Sequence, residues 1–202
     1  MSTVKLTKTE LRLQQIKLGQ LQKYLPTLQL KKALLQVEVN QAQAEIDALQ
    51  VERESVEKRI EGYAALFSNR EANELFSAVK IKQVYKHYEN IAGIDIPLYE
   101  RILFKEADYA LFDTPVWLES GIEGVKDLLI VLEKIKIVQE KKLILQKELR
   151  AVSIRVNLFE KIMIPRAASN IKKIKIFLGD QQLAAVSQAK VSKKKILQQE
   201  AL

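Results

Sequence analysis

The side chains that could carry out catalysis are few and scattered in this chain of 202 residues. There is no cysteine and only one histidine, His87, so disulfides, thiolate chemistry and multi-histidine metal sites are excluded. His87 stands in a β-branched and aromatic segment, without an Asp, a Ser or a second His arranged around it. We interpret His87 as a surface or half-buried strand residue.

Nucleotide-binding and acid–base motifs are also missing. Gly121 and Gly124 have neither the spacing nor the following Lys-Ser/Thr of a phosphate loop, and we interpret them as a linker at a helix start. Acidic pairs such as Glu52 and Glu54 are typical of solvated helix faces. No catalytic residue, cofactor or metal site is therefore predicted, and the chain alone is not an enzyme.

The composition favours long helices. Six glycines and four prolines are too few for the turns of sandwiches, barrels or nucleotide folds, whereas 48% hydrophobic residues suffice for a core. Residues 1–32 carry seven Lys/Arg and one acid, and residues 161–202 carry nine Lys/Arg and two acids. The middle of the chain is mildly acidic. If the termini lie together, they form a concentrated positive surface.

No segment has the length and hydrophobicity of a membrane span. The longest stretch without a charged residue, 181–189, has nine residues, and about 18 or more are needed. The first residues lack the apolar core of a signal peptide. We expect an intracellular, soluble protein without direct membrane insertion.

A heptad repeat extends from Leu11 to Phe67. Fourteen of its 17 a and d residues are apolar, where the composition alone predicts about eight. Thr7, with Glu10 three residues later, predicts a capping box at the start of the helix. The strict 3.5-residue period indicates a coiled coil, and an ordinary amphipathic helix in a bundle is the alternative.

A second heptad segment follows residue 121. Ten of its 11 a and d residues between Leu128 and Met163 are apolar, and the register slips by one residue at Pro165. Each segment spans about 58 residues, or about 85 Å. The simplest arrangement is an antiparallel hairpin in which paired residue numbers sum to about 188, with Lys32, Arg53 and Lys142 fixing the register. A parallel homodimer of each segment is the alternative.

Between the two heptad segments the spacing of the apolar residues changes. Residues 79–88 are β-branched and aromatic and alternate imperfectly, which predicts a strand with a bulge, and residues 90–97 predict a turn and a strand entry. Asp113–Pro115 is expected to end this insert. The predicted fold is mainly α, a long antiparallel two-helix coiled coil with a small β-hairpin-containing insert at the end distal to the termini. Its parts are an N-terminal helix (1–67), the insert (68–120), and a C-terminal helix with a basic tail (121–202).

The basic tail supports several functions. It carries Lys190 and Lys193–Lys195 without interleaved aromatic residues, so the indication of nucleic-acid binding is weak. A solvated, frayed helix end and a charged protein partner both remain open. For the whole chain, a structural or tethering coiled coil and a basic helical arm for an acidic partner or nucleic acid are the alternatives.

Several stretches match a known family pattern. Residues 155–160 read Arg-Val-Asn-Leu-Phe-Glu, where the pattern is Arg-Val-Asn-Ala-Leu-Glu, and an Ile-Pro step follows at Pro165. Residues 7–21, 92–97 and 114–117 look like the N-terminal stretch, insert turn and insert exit of the same family. The chain thus resembles the D subunit of the V-type and A-type rotary ATPases, the central shaft of the rotor.

The resemblance implies a non-catalytic shaft that transmits torque between ATP chemistry in a head of A and B subunits and ion translocation in a membrane ring. It implies that the insert end binds the small F subunit and a membrane-ring adaptor. It also implies no direct nucleotide, no nucleic acid, and a cytoplasmic location peripheral to the membrane. The expected head interface is the basic end, with Lys5, Lys8, Arg12, Lys172, Lys173, Lys190, Lys193 and Lys194. The expected partner end includes Gly93, Pro97 and Trp117, and the family motif includes Arg155, Val156, Asn157, Glu160 and Pro165.

Two prolines interrupt the heptad segments. In the predicted hairpin Pro26 and Pro165 lie within about one helical turn of each other. Each removes a backbone hydrogen bond, at a cost of about 3 kcal/mol if nothing relieves it. We expect a shared bend at this level, which makes the tip of the shaft eccentric. A harmless local kink is the alternative.

Overall fold

The computed structural model describes residues 4–62, 79–105 and 117–200, and the chain divides into two compact units. The central unit is formed by residues 32–150, and the terminal unit combines residues 1–31 with 151–202. The elements are α1 (Lys8–Glu61), β1 (Ile81–Ile91), β2 (Ile94–Phe104), α2 (Trp117–Leu158), a π-helical turn (Phe159–Met163) and α3 (Ile164–Glu200). This mainly helical fold with an antiparallel hairpin is the predicted one. The seam positions Tyr63 and Phe67 and the insert end at 113–115 lie outside the described residues.

Helix α1 begins at the predicted cap. The Thr7 hydroxyl oxygen accepts a hydrogen bond from the Glu10 N–H at 3.2 Å, and the Thr7 carbonyl accepts one from the Leu11 N–H at 3.0 Å. The Glu10 carboxylate accepts a further bond from Gln14 Nε2 at 2.8 Å. The Thr7 hydroxyl therefore satisfies one of the amide groups that a helix start leaves without a partner, and the Thr7 carbonyl accepts the first hydrogen bond within the helix.

Burial along α1 follows the heptad repeat. All 15 a and d residues in the described range, from Leu11 to Ile60, are buried or half-buried. Leu35 and Ala42 are fully buried, while most residues at the other heptad positions are exposed. Because a narrow a/d stripe is the side that a coiled coil buries, this pattern confirms the predicted seam.

Helix α2 begins at Trp117, four residues before the expected start at 121. Gly121 and Gly124 therefore lie inside the helix, and their interpretation as a linker is wrong. A Cβ atom at Gly124 would lie 3.3 Å from Ile60 Cγ1. The glycine thus provides the space that brings α1 and α2 close together, which outweighs its poor helix propensity.

In the central unit α1 and α2 pair in the antiparallel sense. Lys141 Nζ lies 3.2 Å from Glu45 Oε2, and Arg59 Nη2 lies 2.7 Å from Asp127 Oδ2. The residue numbers of each pair sum to 186, close to the predicted value. All four residues occupy heptad position g, so the two ion pairs lie along one side of the seam and define its direction and register.

The seam between these helices is apolar with an inserted lysine. Ala42, Ile46 and Val138 form a buried cluster. Lys142, at the following a position of α2, donates a hydrogen bond from Nζ to Gln43 Oε1. Lys142 is half-buried, and an ammonium group that is partly removed from water is better satisfied with a partner, so Lys142 favours the register in which Gln43 faces it.

The insert contains a two-stranded antiparallel hairpin. The register between β1 and β2 shifts between Ile81 and Gln83 and again between Tyr85 and Lys86, so the predicted bulge is confirmed. His87 is an exposed residue of β1 opposite Leu98, which agrees with its interpretation as a strand residue.

The hairpin turns through Ala92 and Gly93, whose φ angles of 53° and 81° are both positive. Positive φ at both central residues is the mark of a type I′ turn, which matches the twist of the adjoining strands. Asn90 Nδ2 donates to Asp95 Oδ1 at 2.7 Å, and Asn90 Oδ1 accepts from the Gly93 N–H at 3.1 Å. These bonds hold the turn although Ala92 is strained by its Cβ atom.

Hairpin residues contact the side of α2 that faces away from the seam. Lys86 Nζ on β1 lies 2.5 Å from Glu140 Oε2 on α2. The Lys134 and Lys126 ammonium groups of α2 lie 5.6 Å and 5.8 Å from the ring centres of Tyr99 and Phe104 on β2. Lys126, Lys134 and Glu140 occupy heptad positions f and g. One side of α2 is therefore covered by α1 and another side by the hairpin.

In the terminal unit the chain passes from α2 to α3 through the π-helical turn. The Ile164 N–H donates to the Phe159 carbonyl oxygen, five residues earlier, so this turn holds one residue more than an α-helical turn. Downstream, the residues at the a and d positions of the shifted register are all buried or half-buried; they are Ile164, Ala167, Ile171, Ile174 and Leu178. The predicted slip of one residue is therefore a π-helical turn.

Helix α3 continues beyond this seam. From Asp180 to Gln198 every side chain is exposed. The tail is thus a solvated helix rather than a frayed end. Within the described residues no helix is both long and apolar enough to cross a membrane.

Candidate functional site: the surfaces of the two units

The terminal unit carries the predicted basic surface. It contains 16 Lys/Arg and four Asp/Glu, a net charge of +12, whereas the whole chain has +8. Lys and Arg residues expected at the head interface all lie in this unit and all are exposed; they are Lys5, Lys8, Arg12, Lys172, Lys173, Lys190, Lys193 and Lys194. Both ends of the chain therefore contribute to one strongly positive body.

A groove of about 600 Å³ shows where the two ends of the chain meet. Residues 4–17 line it from the N-terminal side, and residues 158–170, which include the π-helical turn, line it from the other side. Its charged lining residues are three bases, Lys5, Lys17 and Arg166, and one acid, Glu10.

The last part of α3 combines charge with apolar surface. Its lysines alternate with Leu183, Val186, Val191, Ile196 and Leu197, each of which is between 52% and 69% exposed. The end of α3 therefore carries positive charge and exposed apolar surface together.

The family motif encloses the π-helical turn. Arg155 and Asn157 are exposed at the end of α2, while Val156 between them is 3% exposed and belongs to the seam. Glu160 is exposed in the π-helical turn, and Pro165 is the second residue of α3. The motif thus marks the place where the helix changes register.

The two prolines differ in their local structure. Pro26 lies inside α1, which continues unbroken from residue 8 to 61, and nearby Thr27 Oγ1 donates to the Tyr24 carbonyl at 2.7 Å. One residue, Ile164, separates Pro165 from the π-helical turn, so the missing N–H of Pro165 lies next to the place where the α-helical hydrogen bonds are already interrupted. Both prolines belong to the terminal unit, and their shared bend stays a prediction.

The three residues expected at the partner end lie in different environments. Gly93 is exposed in the hairpin turn, whereas Pro97 is fully buried in β2. Trp117 is half-buried at the start of α2 and packs against the cluster of Val79, Leu118 and Ile122. Of the three, Gly93 is the residue that the structure places on the surface.

Two features of the central unit were not predicted from the sequence. The fully buried Ile137 of α2 occupies position c, outside the seam, and the apolar residues at c positions such as Ile130 were its signal. The outer face of α1 carries exposed apolar residues at positions c and f, including Leu34, Val37 and Val51. Their three- and four-residue spacing could have revealed a second stripe.

Charged groups of the central unit form ion pairs between its helices and strands. Lys86 is the clearest case, because its hydrogen bond to Glu140 raises the pKa of Lys86 above the ordinary value of 10.5. Among the described residues, no three His, Cys, Asp or Glu side chains come together as metal ligands would.

The fold and these surfaces define a helical coiled-coil protein with a strongly basic terminal unit and a hairpin-bearing central unit. The family model for the D subunit of ATP synthase matches residues 10–194. The chain belongs to this ATP synthase D-subunit family, and the family resemblance drawn from the sequence is confirmed.

Similar proteins cover nearly the whole chain. The V-type ATP synthase D subunit of Chlamydia caviae is 45% identical over 198 residues, which are 98% of this chain and 95% of the relative. The D subunit of Chlamydia trachomatis serovar L2 (strain 434/Bu) is 43% identical over 200 residues, with 98% of each chain covered. That of Borreliella burgdorferi is 39% identical over 197 residues, covering 98% of this chain and 96% of the relative. The chain is accordingly a component of an ATP synthase complex.

Proposed function

We propose that the chain is the non-catalytic central-stalk rotor subunit of a V/A-type rotary ATPase. It transmits torque between ATP hydrolysis or synthesis in the head and ion translocation in the membrane ring. The observation that carries this proposal is the antiparallel pairing of α1 and α2 in one fixed register, seen in the ion pairs Glu45–Lys141 and Arg59–Asp127.

A torque-bearing element must resist sliding of one helix along the other. Slippage by one heptad in one direction would bring Arg59 opposite Lys134, and slippage in the other direction would bring Glu52 opposite Asp127. Either slip would separate Lys142 from Gln43. The apolar contacts of Ala42, Ile46 and Val138 would also be lost. The pair of helices therefore has one favoured register, which suits a shaft.

The basic terminal unit is the part of the rotor that contacts the head of A and B subunits. Its net charge of +12 and the exposed apolar residues of α3 between Leu183 and Leu197 supply both steering and contact area. An asymmetric shaft presents a different face to each catalytic interface, so that the sites change state in turn. ATP binds to the head and does not contact this chain.

The central unit carries the other contacts of the rotor. The small F subunit and the membrane-ring adaptor bind at the insert end, where the hairpin turn with Gly93 is exposed. The chain lies peripheral to the membrane on the cytoplasmic side as part of the complex. The family membership supports this placement.

The bend at the two prolines makes the tip eccentric to the rotation axis, so that rotation moves the tip against successive catalytic subunits. Pro26 and Pro165 both lie in the terminal unit, and the π-helical turn that ends two residues before Pro165, at Met163, supports a local change of helix direction. Pro26→Ala should straighten α1 and lower the coupling between hydrolysis and ion movement. Unchanged helix curvature in a crystal structure, or unchanged coupling, would remove Pro26 from the mechanism.

Single-molecule rotation tests the proposed function directly. Because the chain has no cysteine, His87→Cys on the exposed strand β1 gives a unique attachment point for a gold bead, and Glu100→Cys on β2 is the matched second site. With the complex fixed through its head, ATP should drive stepwise rotation in one direction from either site. ATP hydrolysis with stationary beads at both sites would refute the rotor function.

A further inference from the structure

The groove of the terminal unit lies on one side of the helix seam, the side of heptad position g. Glu10 and Lys17 line it from α1, Ile162 lines it from the π-helical turn and Asn170 from α3, and all four occupy position g. In the central unit the two ion pairs between g residues lie along this side of the seam. Because Ile162 and Asn170 carry no charge, the terminal unit cannot repeat such pairs here, and a groove is left beside its seam.

The size and the apolar lining of the groove suit a small molecule with an apolar part. Its volume of about 600 Å³ lies within the range of about 300 to 1,000 Å³ that is typical of small-molecule sites. The apolar lining residues are Val4, Leu158, Ile162, Met163 and Ala167. Leu158 is 41% exposed and Ile162 55%, and the π-helical turn contains no buried residue. Much of this apolar surface is therefore accessible to a ligand.

The charged lining residues select an anionic ligand. Lys5, Lys17 and Arg166, with the single acid Glu10, give the lining a net charge of +2, in a unit whose net charge is +12. The Glu10 carboxylate accepts a hydrogen bond from Gln14 Nε2 at 2.8 Å. Glu10 also lies in the first turn of α1, where the helix dipole stabilises a negative charge. The acid is thus satisfied within α1, and the bases determine the sign of the ligand.

We propose that the groove binds one anionic amphiphile, a molecule that carries an acidic group on an apolar chain, as a fatty acid does. The chain of the ligand packs against Leu158, Ile162 and Met163, and its acidic group binds to the basic side chains of Lys17 and Arg166. A nucleic acid or a free phosphate would leave the apolar lining without a matching surface. The inference goes beyond the proposed rotor function and uses neither rotation nor torque.

The methionines of the chain allow a direct measurement at the groove. The sequence contains two, Met1 and Met163, and Met163 lines the groove. Labelling the full chain with ¹³C at the methionine methyl groups gives two NMR signals, which the variant Met163→Leu assigns. Decanoate, added below the concentration at which it forms micelles, should shift the Met163 signal until it saturates, and calorimetry should give one decanoate for each chain.

Two related molecules separate the contributions of charge and chain. Acetate has the carboxylate without the chain, and decyl maltoside has the same chain without a charge. Because the groove is proposed to use both parts of the ligand, decanoate should bind at least about tenfold more tightly than either molecule. Titration of the Met163 signal measures all three affinities.

Charge reversal tests the basic side of the groove. Lys17→Glu combined with Arg166→Glu should weaken decanoate binding by about tenfold at low ionic strength. Lys190→Glu combined with Lys193→Glu makes the same change of charge in the exposed tail of the same unit, outside the groove, and should change the affinity by less than about twofold. All four residues are exposed, and circular dichroism melts check that both double variants stay folded.

The apolar side is tested by Ile162→Gln, which should weaken decanoate binding by about threefold or more because it replaces an apolar contact with a polar one. Leu183→Gln is the matched control, since Leu183 is 69% exposed in the same unit but does not line the groove. The control should bind decanoate as the unchanged chain does.

Three results would overturn the proposal. They are a Met163 signal that does not shift to saturation with decanoate, an affinity for decanoate no higher than for acetate or decyl maltoside, and tail variants that weaken binding as much as the groove variants do. The first two use the unchanged chain, so they decide the matter even if a variant fails to fold. None of the three bears on bead rotation, so failure of the ligand site and failure of the rotor function are distinguishable.

Discussion

The central and terminal units contain the same kind of helix seam but differ in charge and in how the helices are held. The central unit has a net charge of −4, two interhelical ion pairs at g positions, a lysine–glutamine contact in the seam and a hairpin packed on α2. The terminal unit has a net charge of +12, a groove beside a π-helical turn and a tail of exposed side chains. The described contacts that hold the two helices in register are therefore in the central unit, whereas the terminal unit carries most of the positive charge and the exposed tail.

The largest expected effect is in the seam of the central unit. Leu145→Asp places a charge at a fully buried d position and should destabilise the chain by about 4 kcal/mol, because no partner there satisfies the carboxylate. Leu143→Asp, at a position 66% exposed on the same helix, is the control and should change stability by less than about 0.5 kcal/mol. Chemical denaturation followed by circular dichroism measures both. Equal stability of the two variants would contradict the seam.

The second prediction concerns the π-helical turn, which belongs to the terminal unit. Deleting Ile162 should return the seam after Phe159 to the strict heptad and remove the π-helical turn, leaving Pro165 inside a continuous α-helix at a cost of about 3 kcal/mol. Adding Pro165→Ala should relieve most of that cost. Hydrogen exchange should show lost protection in the terminal unit alone for the single deletion. Protection that is unchanged, or that the second substitution does not restore, would show that the π-helical turn does not accommodate the proline.

Much of the fold could be predicted from the sequence, because apolar residues that recur at a fixed spacing indicate a contact that recurs along the helix or strand. The seam, the Thr7 cap, the slip before Pro165 and the bulged hairpin all follow from local periodicity and chemistry. The start of α2 was misplaced because glycines usually end helices, and the close approach of Ile60 to Gly124 is a contact between residues far apart in sequence.

The surfaces were only partly predictable. The basic ends are visible as runs of lysine, but the sequence alone does not show which outer face the hairpin covers. That depends on contacts such as Lys86–Glu140 between different elements. The exposed apolar residues at positions c and f of α1, such as Leu34 and Val37, have a three- and four-residue spacing that the sequence does show.

The hairpin turn should respond to a smaller change. Ala92 has a φ of 53°, a conformation in which asparagine is more favourable than alanine. Ala92→Asn should therefore stabilise the hairpin by about 0.5 to 1 kcal/mol. The same substitution at the exposed helical residue Ala33 should destabilise α1 slightly, since asparagine has the lower helix propensity. Hydrogen exchange of β1 and β2 amides measures the first effect, and an unchanged exchange rate would contradict the strain at Ala92.

The smallest expected effect concerns the ion pair between the hairpin and α2. The hydrogen bond to Glu140 raises the pKa of Lys86, with smaller contributions from the charges of Tyr88 and Glu133, so the pair stabilises the folded chain below pH 10.5. That contribution should be lost as the pH rises through the raised pKa of folded Lys86. Because both side chains are partly exposed, Lys86→Met should cost less than about 1 kcal/mol at pH 8. Chemical denaturation of the unchanged chain and of the Lys86→Met variant at pH 8 and pH 11 measures the stability cost of the substitution. A cost that grows with pH would contradict this explanation.

The most direct test of the division between the units is the coupling ratio of the reconstituted complex, the number of ions moved for each ATP hydrolysed. A chain that ends at Ala189 lacks Lys190, Lys193 and Lys194 but retains every buried or half-buried residue of the described seam. A chain that ends at Gln198 is the control. We predict that the shorter chain melts at the temperature of the full chain and has a lower coupling ratio, while the control matches the full chain in both. An unchanged coupling ratio in the chain ending at Ala189 would contradict the role of the basic tail.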